Sequence, residues 1–260
     1  MTYSIDITSS DLNQVEPTSI IKRISVLSYG LLAYSIGCAG LFWLIFAMGG
    51  LAPAILSDIK AESITTAVII NISLIVLFGI QHSIMARKRF KQWITRYIPE
   101  ATDRATYMLM SGVVTMTAIY FWQSLPGTVW EFESTIAQTI LWSLYAIGWG
   151  YLLLSTFVTN HFELMGLRQV YLYFRNKPYS KLPFTRKYMY RYSRHPMMLG
   201  VLVGMWSVPV MSVTHFIMAT LFTLYIVVGI FFEERDLKKD FGETYQSYKK
   251  EISTFIPKLF

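Results

Sequence analysis

Residues 197–232 read MMLGVLVGMWSVPVMSVTHFIMATLFTLYIVVGIFF, without one Asp, Glu, Lys or Arg. A helix crossing the hydrocarbon core of a bilayer takes about 20 apolar residues. The stretch is therefore too long for one crossing and just long enough for two short ones. Its middle runs Pro209-Val210-Met211-Ser212-Val213-Thr214-His215, where the proline lacks a backbone N–H and polar side chains follow. A hairpin of two helices fits this pattern better than one kinked helix.

Upstream, four blocks are long enough to cross alone: Ile24–Met48, Ile64–Ala86, Thr106–Leu125 and Ile136–Thr159. With the hairpin they predict an all-α integral membrane protein of six transmembrane helices. Hydrophobic residues are 53% of the 260-residue chain and charged residues 15%, too few charges to cover a soluble domain of this size. Cys38, the single cysteine, excludes an intrachain disulfide. Trp122, Trp130 and Trp142 fall near predicted span ends, where interfacial anchors belong.

Charge placement gives the orientation. Of 23 Lys and Arg residues, 22 lie before the first block, after the second, between the fourth and fifth, and after the sixth; Lys60 stands alone on the other side. That asymmetry puts both termini in the cytoplasm and requires an even number of crossings. The formal net charge of +7 then points to anionic lipid headgroups and not to nucleic acid, because the cations sit between apolar blocks. Residues 1–21 read as a polar cytoplasmic tail without a signal-peptide pattern, and residues 22–260 as one membrane domain.

Polar groups near membrane depth are costly, so their clusters mark candidate sites. Four occur, all at predicted cytoplasmic span ends. Gln81-His82-Ser83 precedes the basic run Arg87–Arg89, and Asn160-His161-Phe162-Glu163 leads to Gly166 and Arg168-Gln169. Arg191 to Arg194-His195-Pro196, with Gly200, opens the hairpin. Glu233-Glu234-Arg235-Asp236 closes it, ahead of Phe241-Gly242-Glu243-Thr244-Tyr245 and Tyr248. Adjacent residues on a helix point about 100° apart, so at most one of Glu233 and Glu234 is expected to face a ligand directly, leaving the other to a basic neighbour.

Arg194-His195-Pro196 with Gly200, the hairpin, Glu233-Glu234 and the tail through Tyr245 and Tyr248 resemble the cofactor half of membrane methyltransferases of the isoprenylcysteine carboxyl methyltransferase and phospholipid N-methyltransferase group. Met198 stands where that group's pattern has an aromatic residue. The resemblance implies S-adenosylmethionine as methyl donor, enclosed by residues of about 160–260, with Arg194, His195, Pro196, Gly200, Glu233, Glu234, Tyr245 and Tyr248 as its contacts. The stretches around Gln81–Arg87 and His161–Val170 are further similar to the bacterial methanethiol S-methyltransferases and related NnrU-like proteins. That likeness implies a small thiol substrate, dimethyl sulfide as product and a bacterial inner-membrane location. Other acceptors, a prenylcysteine or a lipid, stay open at this point, as does a small non-enzymatic transporter or accessory protein.

The chemistry fits such a site. A cationic sulfonium donor and an anionic thiolate lose their charges as the methyl group moves, so removing water and aligning the pair favours transfer. An alkanethiol is a weaker acid than a cysteine side chain at about 8.5, so a base or cation must raise the thiolate fraction. His82, His161, Glu163 and Arg168 are the catalytic candidates: a histidine as base, with Arg168 stabilising the anion or holding the donor's carboxylate. Each has a plainer reading: His82 at a helix end can bond terminal carbonyls, and His161 with Glu163 and Arg168 can form a solvated interfacial turn. No His-x-x-x-His pair or second cysteine is present, so no metal is expected.

Overall fold

The computed structural model describes residues 18–51, 62–180, 182 and 186–255. The expected N-terminal tail lies almost wholly outside them, as do Lys60, Lys181 and Lys258 of the charge pattern. In chain order the helices are α1 (Ile20–Met48), α2 (Ile64–Met85), α3 (Lys88–Ile94), α4 (Asp103–Tyr120), α5 (Thr135–Val158), α6 (His161–Leu164), α7 (Leu167–Phe174), α8 (Pro196–Trp206) and α9 (Val213–Glu251). Two short strands, β1 (Thr128–Glu131) and β2 (Val210–Ser212), pair antiparallel. Serines begin three of the long helices: Ser19, Ser63 and Ser212 accept the backbone N–H three residues on.

Four helices, α1, α2, α5 and α9, are long and apolar enough to cross a membrane, which makes this an integral membrane protein. The other two expected crossings are shorter or more polar. α4 has 18 residues and begins with Asp103 and Arg104. α8 has 11 residues, about 16 Å of helix, or half a bilayer core. The break foreseen at Pro209 is present, but α8 ends three residues before it, and a bend at Pro209 leads into β2. Hydropathy registers apolar residues equally in helix and strand, which is why the length of α8 was overestimated.

The bundle is stitched where small residues let backbones touch. On the α5–α8 seam a Cβ added to Gly148 would lie 2.4 Å from the Gly204 nitrogen, and one on Gly200 would lie 2.6 Å from that of Leu152. α1 meets α4 in the same manner at Gly40 and Gly112. The main core gathers Phe78, Ile119, Trp122, Trp149, Met205, Met211 and Phe222. Trp122 is completely buried there, so it packs the core instead of anchoring in a headgroup layer.

The two ends of the bundle differ in kind. At one end β1–β2 ties the α4–α5 loop to the α8–α9 turn. There buried Asn71 donates to the Gln123 carbonyl (2.9 Å) and the Leu125 N–H donates to Thr214 (2.8 Å). Charges collect at the other end: Arg87–Asp236 at 2.6 Å, Lys88–Asp240, Lys91–Asp103 at 3.3 Å, and Arg168–Glu163 at 2.8 Å.

Candidate active site

Three polar clusters meet at the charged end. The first is built around His195, the residue that caps α8, with Pro196 in the first helical turn. Arg194 Nε donates to Glu234 Oε1 at 2.8 Å, and its other nitrogens donate to the Ile252 carbonyl and to Thr254 Oγ1. Lys249 holds the second Glu234 oxygen at 2.5 Å. Glu234 and Lys249 are fifteen residues apart, about 22 Å along a straight helix. They meet because α9 reverses at Gly242, whose φ of 54° is one that side-chain-bearing residues rarely adopt. The reversal also buries Tyr245 and Tyr248, whose hydroxyl donates to the Tyr190 carbonyl at 2.6 Å.

The two neighbouring glutamates divide as their helical angle demands. Glu234 is buried and saturated by cations, with His195 Nε2 also 3.3 Å from Oε1. Glu233 is half exposed, and its nearest partner is His195 Nδ1 at 3.5 Å. Its carboxylate still acts electrostatically on Tyr107, Tyr190 and Tyr245. Gly200 is occupied by its seam with α5, so its contact in this fold is with protein backbone.

The second cluster centres on His82, near the end of α2. Its Nε2 is 2.5 Å from the Tyr107 hydroxyl and its Nδ1 is 3.2 Å from Ser111 Oγ, both on α4. The ring stacks on Phe78, with Tyr225 of α9 edge-on to it. The sequence reading missed Tyr107, Ser111 and Tyr225. Two polar residues four apart within an apolar block, Tyr107 and Ser111, were the available signal.

The third cluster follows α5. Buried His161 has both ring nitrogens engaged, Nε2 with Tyr34 at 2.9 Å and Nδ1 with Thr156 at 2.8 Å, and it stacks on Phe157. Burial holds its pKa below the ordinary 6.5. Glu163 points elsewhere: it pairs with Arg168, accepts the Tyr179 hydroxyl, and has its backbone N–H capped by Asn160. Arg168 is clamped further by the Ser180 carbonyl (2.9 Å) and hydroxyl (3.0 Å). Burial pushes the Tyr179 hydroxyl up to about 12, with Glu163 adding to the shift and Arg168 and Arg104 opposing it. Among the described residues no group of three or more His, Cys, Asp or Glu could hold a metal ion.

A helical membrane bundle whose ionised clusters, among the described residues, gather at one end defines a polytopic membrane protein with a polar site at one membrane face. Comparison with known proteins places it further. The NnrU protein family matches residues 70–256, and the chain belongs to that family. A methanethiol S-methyltransferase of Crocosphaera subtropica is 40% identical, covering 94% of this chain and 96% of its own. Its counterpart in Mycobacterium tuberculosis is 38% identical over 91% of this chain and 98% of its own. Rat nurim is more distant, 26% identical over 70% of this chain and 72% of its own. No solved structure matches the chain.

Proposed function

We propose that this protein is an enzyme that transfers a methyl group from S-adenosylmethionine to a small thiol, converting methanethiol to dimethyl sulfide at the cytoplasmic face of a bacterial inner membrane. The observation that carries this reading is the kinship with methanethiol S-methyltransferases at 35–40% identity over nearly the whole chain. When bound, the donor supplies an electrophilic methyl group on a cationic sulfur. The residues present suit such a group: Glu233 offers a half-exposed carboxylate not neutralised by a cation, next to His195, while Glu234 is already satisfied. Arg194, Tyr245 and Tyr248 hold the tail of α9 in place around that carboxylate and act as positioning residues.

The thiol proton goes to His82. A hydroxyl can both donate and accept, so Tyr107 can take the thiol proton while passing its own to Nε2 across 2.5 Å. Glu233 acts electrostatically on Tyr107, which supports a reading in which donor and acceptor pockets adjoin. Phe78, Phe222 and Tyr225 wall the acceptor side, keeping water from the thiolate and fitting a small apolar substrate. His161 and the Glu163–Arg168 pair brace the wall of the site.

Six crossings remain the topology proposed here. α8, at about 16 Å, is then a crossing shorter than a bilayer core, the chain turning back through Pro209 and β2 into α9. Reporter fusions at Glu133 are expected outside and at Lys91 in the cytoplasm; a cytoplasmic signal at Glu133 contradicts the topology. The reaction is tested by incubating detergent-purified protein with methyl-labelled S-adenosylmethionine and a panel of thiols, a prenylcysteine and phospholipid amines. Labelled dimethyl sulfide in the headspace is the expected product. Label in the prenylcysteine or lipid fraction alone would replace the acceptor.

A further inference from the structure

Arg104 is set apart from the other half-buried cations of the charged end. Arg87, Lys91, Arg168 and Arg194 are each paired with an acid, and half-buried Arg23 donates to the Phe174 carbonyl. Arg104 is half-buried, and among the described residues it has no ion pair or hydrogen bond from its side chain. Its neighbour Asp103 is taken by Lys91 at 3.3 Å. The position is nevertheless tightly built. A Cβ on Gly166, whose φ is 86°, would lie 2.8 Å from the Arg104 carbonyl carbon, so the start of α4 is pressed against the turn that carries Glu163 and Arg168.

Arg104, Tyr107 and Ser111 follow one another at spacings of three and four, one face of α4. Tyr107 and Ser111 on that face hold His82, and the charge of Arg104 acts on both Tyr107 and Tyr179. An arginine with no ion pair among the described residues is therefore one helical turn from the tyrosine proposed to receive the thiol proton. Arg168, the expected anion partner, is neutralised by Glu163 and held by Ser180, which leaves it no free charge.

We propose that Arg104 is the cation that holds the substrate sulfur as its thiolate, an inference that rests on the thiol-methylating reading above. The proton leaves sulfur through Tyr107 to His82. The sulfur lone pair then forms the new S–C bond as the donor's C–S bond breaks, giving a neutral thioether and neutral S-adenosylhomocysteine. Arg104 compensates the negative charge that exists between those two events and lowers the cost of ionising a weakly acidic thiol.

The test compares Arg104→Gln and Arg104→Lys with the wild type on methanethiol and on the more acidic 2,2,2-trifluoroethanethiol, with S-adenosylhomocysteine affinity measured separately by calorimetry. An opposite charge within about 4–6 Å shifts a pKa by about one to three units, so the Gln variant should lose about 10- to 1000-fold in kcat/KM for methanethiol at neutral pH. Its loss on the acidic thiol should be much smaller, S-adenosylhomocysteine affinity should be unchanged, and Lys should restore part of the methanethiol rate. Equal losses on both thiols in either variant, a wild-type rate in the Gln variant, or weakened S-adenosylhomocysteine binding would overturn the assignment; the last would give Arg104 to the donor's carboxylate. If Gln prevents folding, the Lys variant alone decides between equal and unequal losses. Failure of the underlying reading is separately visible, because the wild type would then methylate neither thiol.

Discussion

His82 and His161 have the same inventory of contacts. Each ring nitrogen meets a hydroxyl, Ser111 and Tyr107 for one, Thr156 and Tyr34 for the other. Each ring stacks on a phenylalanine, Phe78 or Phe157. They differ one bond further out. Beyond Tyr107 stand the half-exposed Glu233 and the half-buried Arg104; beyond Tyr34 stands Cys38, in the apolar middle of α1. Hydrogen-bond count does not separate the proposed base from the other histidine. The charges that reach its partners favour His82.

The largest expected effect sharpens that contrast directly. His82→Gln should lower turnover at neutral pH by about 100- to 10,000-fold, the usual share of general acid–base catalysis, with S-adenosylmethionine affinity retained by calorimetry. His161→Gln should leave turnover nearly intact and destabilise the protein by about 1–3 kcal/mol through the lost hydrogen bonds to Tyr34 and Thr156. Reversal of the two outcomes would move the base to His161. The paired glutamates give the next test. Glu234→Ala strands the buried Arg194 charge and should cost about 3–5 kcal/mol in thermal unfolding measured in detergent. Glu233→Ala should leave stability alone and weaken S-adenosylmethionine binding by about 10- to 150-fold, the loss of one hydrogen bond to a charged group of about 1.5–3 kcal/mol. Equal donor affinity in the Glu233 variant and the wild type would remove that carboxylate from the donor site.

Smaller effects probe the scaffold. Gly242→Ala forces a side chain into φ 54° and should cost about 1–3 kcal/mol. It should also loosen donor binding, since the tail carrying Tyr245, Tyr248 and Lys249 turns there. The smallest effect is on acid stability. The folded His161 pKa is held below 6.5 by burial, so the unfolded chain binds that proton more tightly. Stability owed to the neutral ring is full above about pH 6.5 and is lost as pH falls through the depressed folded value. His161→Gln should flatten that part of the stability–pH curve, and an unchanged curve would show that another group sets it.

Much of this was legible because hydropathy and charge act over long windows. The three blocks that became α1, α2 and α5 needed only length and apolarity, and Pro209 marked its break by its missing N–H. The division of Glu233 from Glu234 followed from helical geometry alone. Other features depend on which faces meet. Trp122 stands at a span end, but only the rotation of its segment decides whether it faces lipid or core. Gly200 within a motif looks the same whether it approaches a ligand or Leu152 of α5. The four-residue β1 pairs with a strand some eighty positions later, beyond any local signal. Tyr107 and Arg104 acquire meaning only when α4 lies beside α2 and the turn at Gly166. A basic residue among 23 gives no sign in sequence of whether an acid will face it in the fold.

The most direct test of the account follows dimethyl sulfide release from wild type, His82→Gln and His161→Gln across a pH series from neutral to moderately alkaline, at saturating S-adenosylmethionine and fixed methanethiol. With His82 as base, its variant should start far below the wild type and close part of the gap as pH rises, because solvent ionises more thiol and the missing base matters less. The His161 variant should track the wild type at a constant ratio. A His82→Gln profile parallel to the wild type, or equal to it at neutral pH, would contradict the claim that the thiol gives its proton to His82.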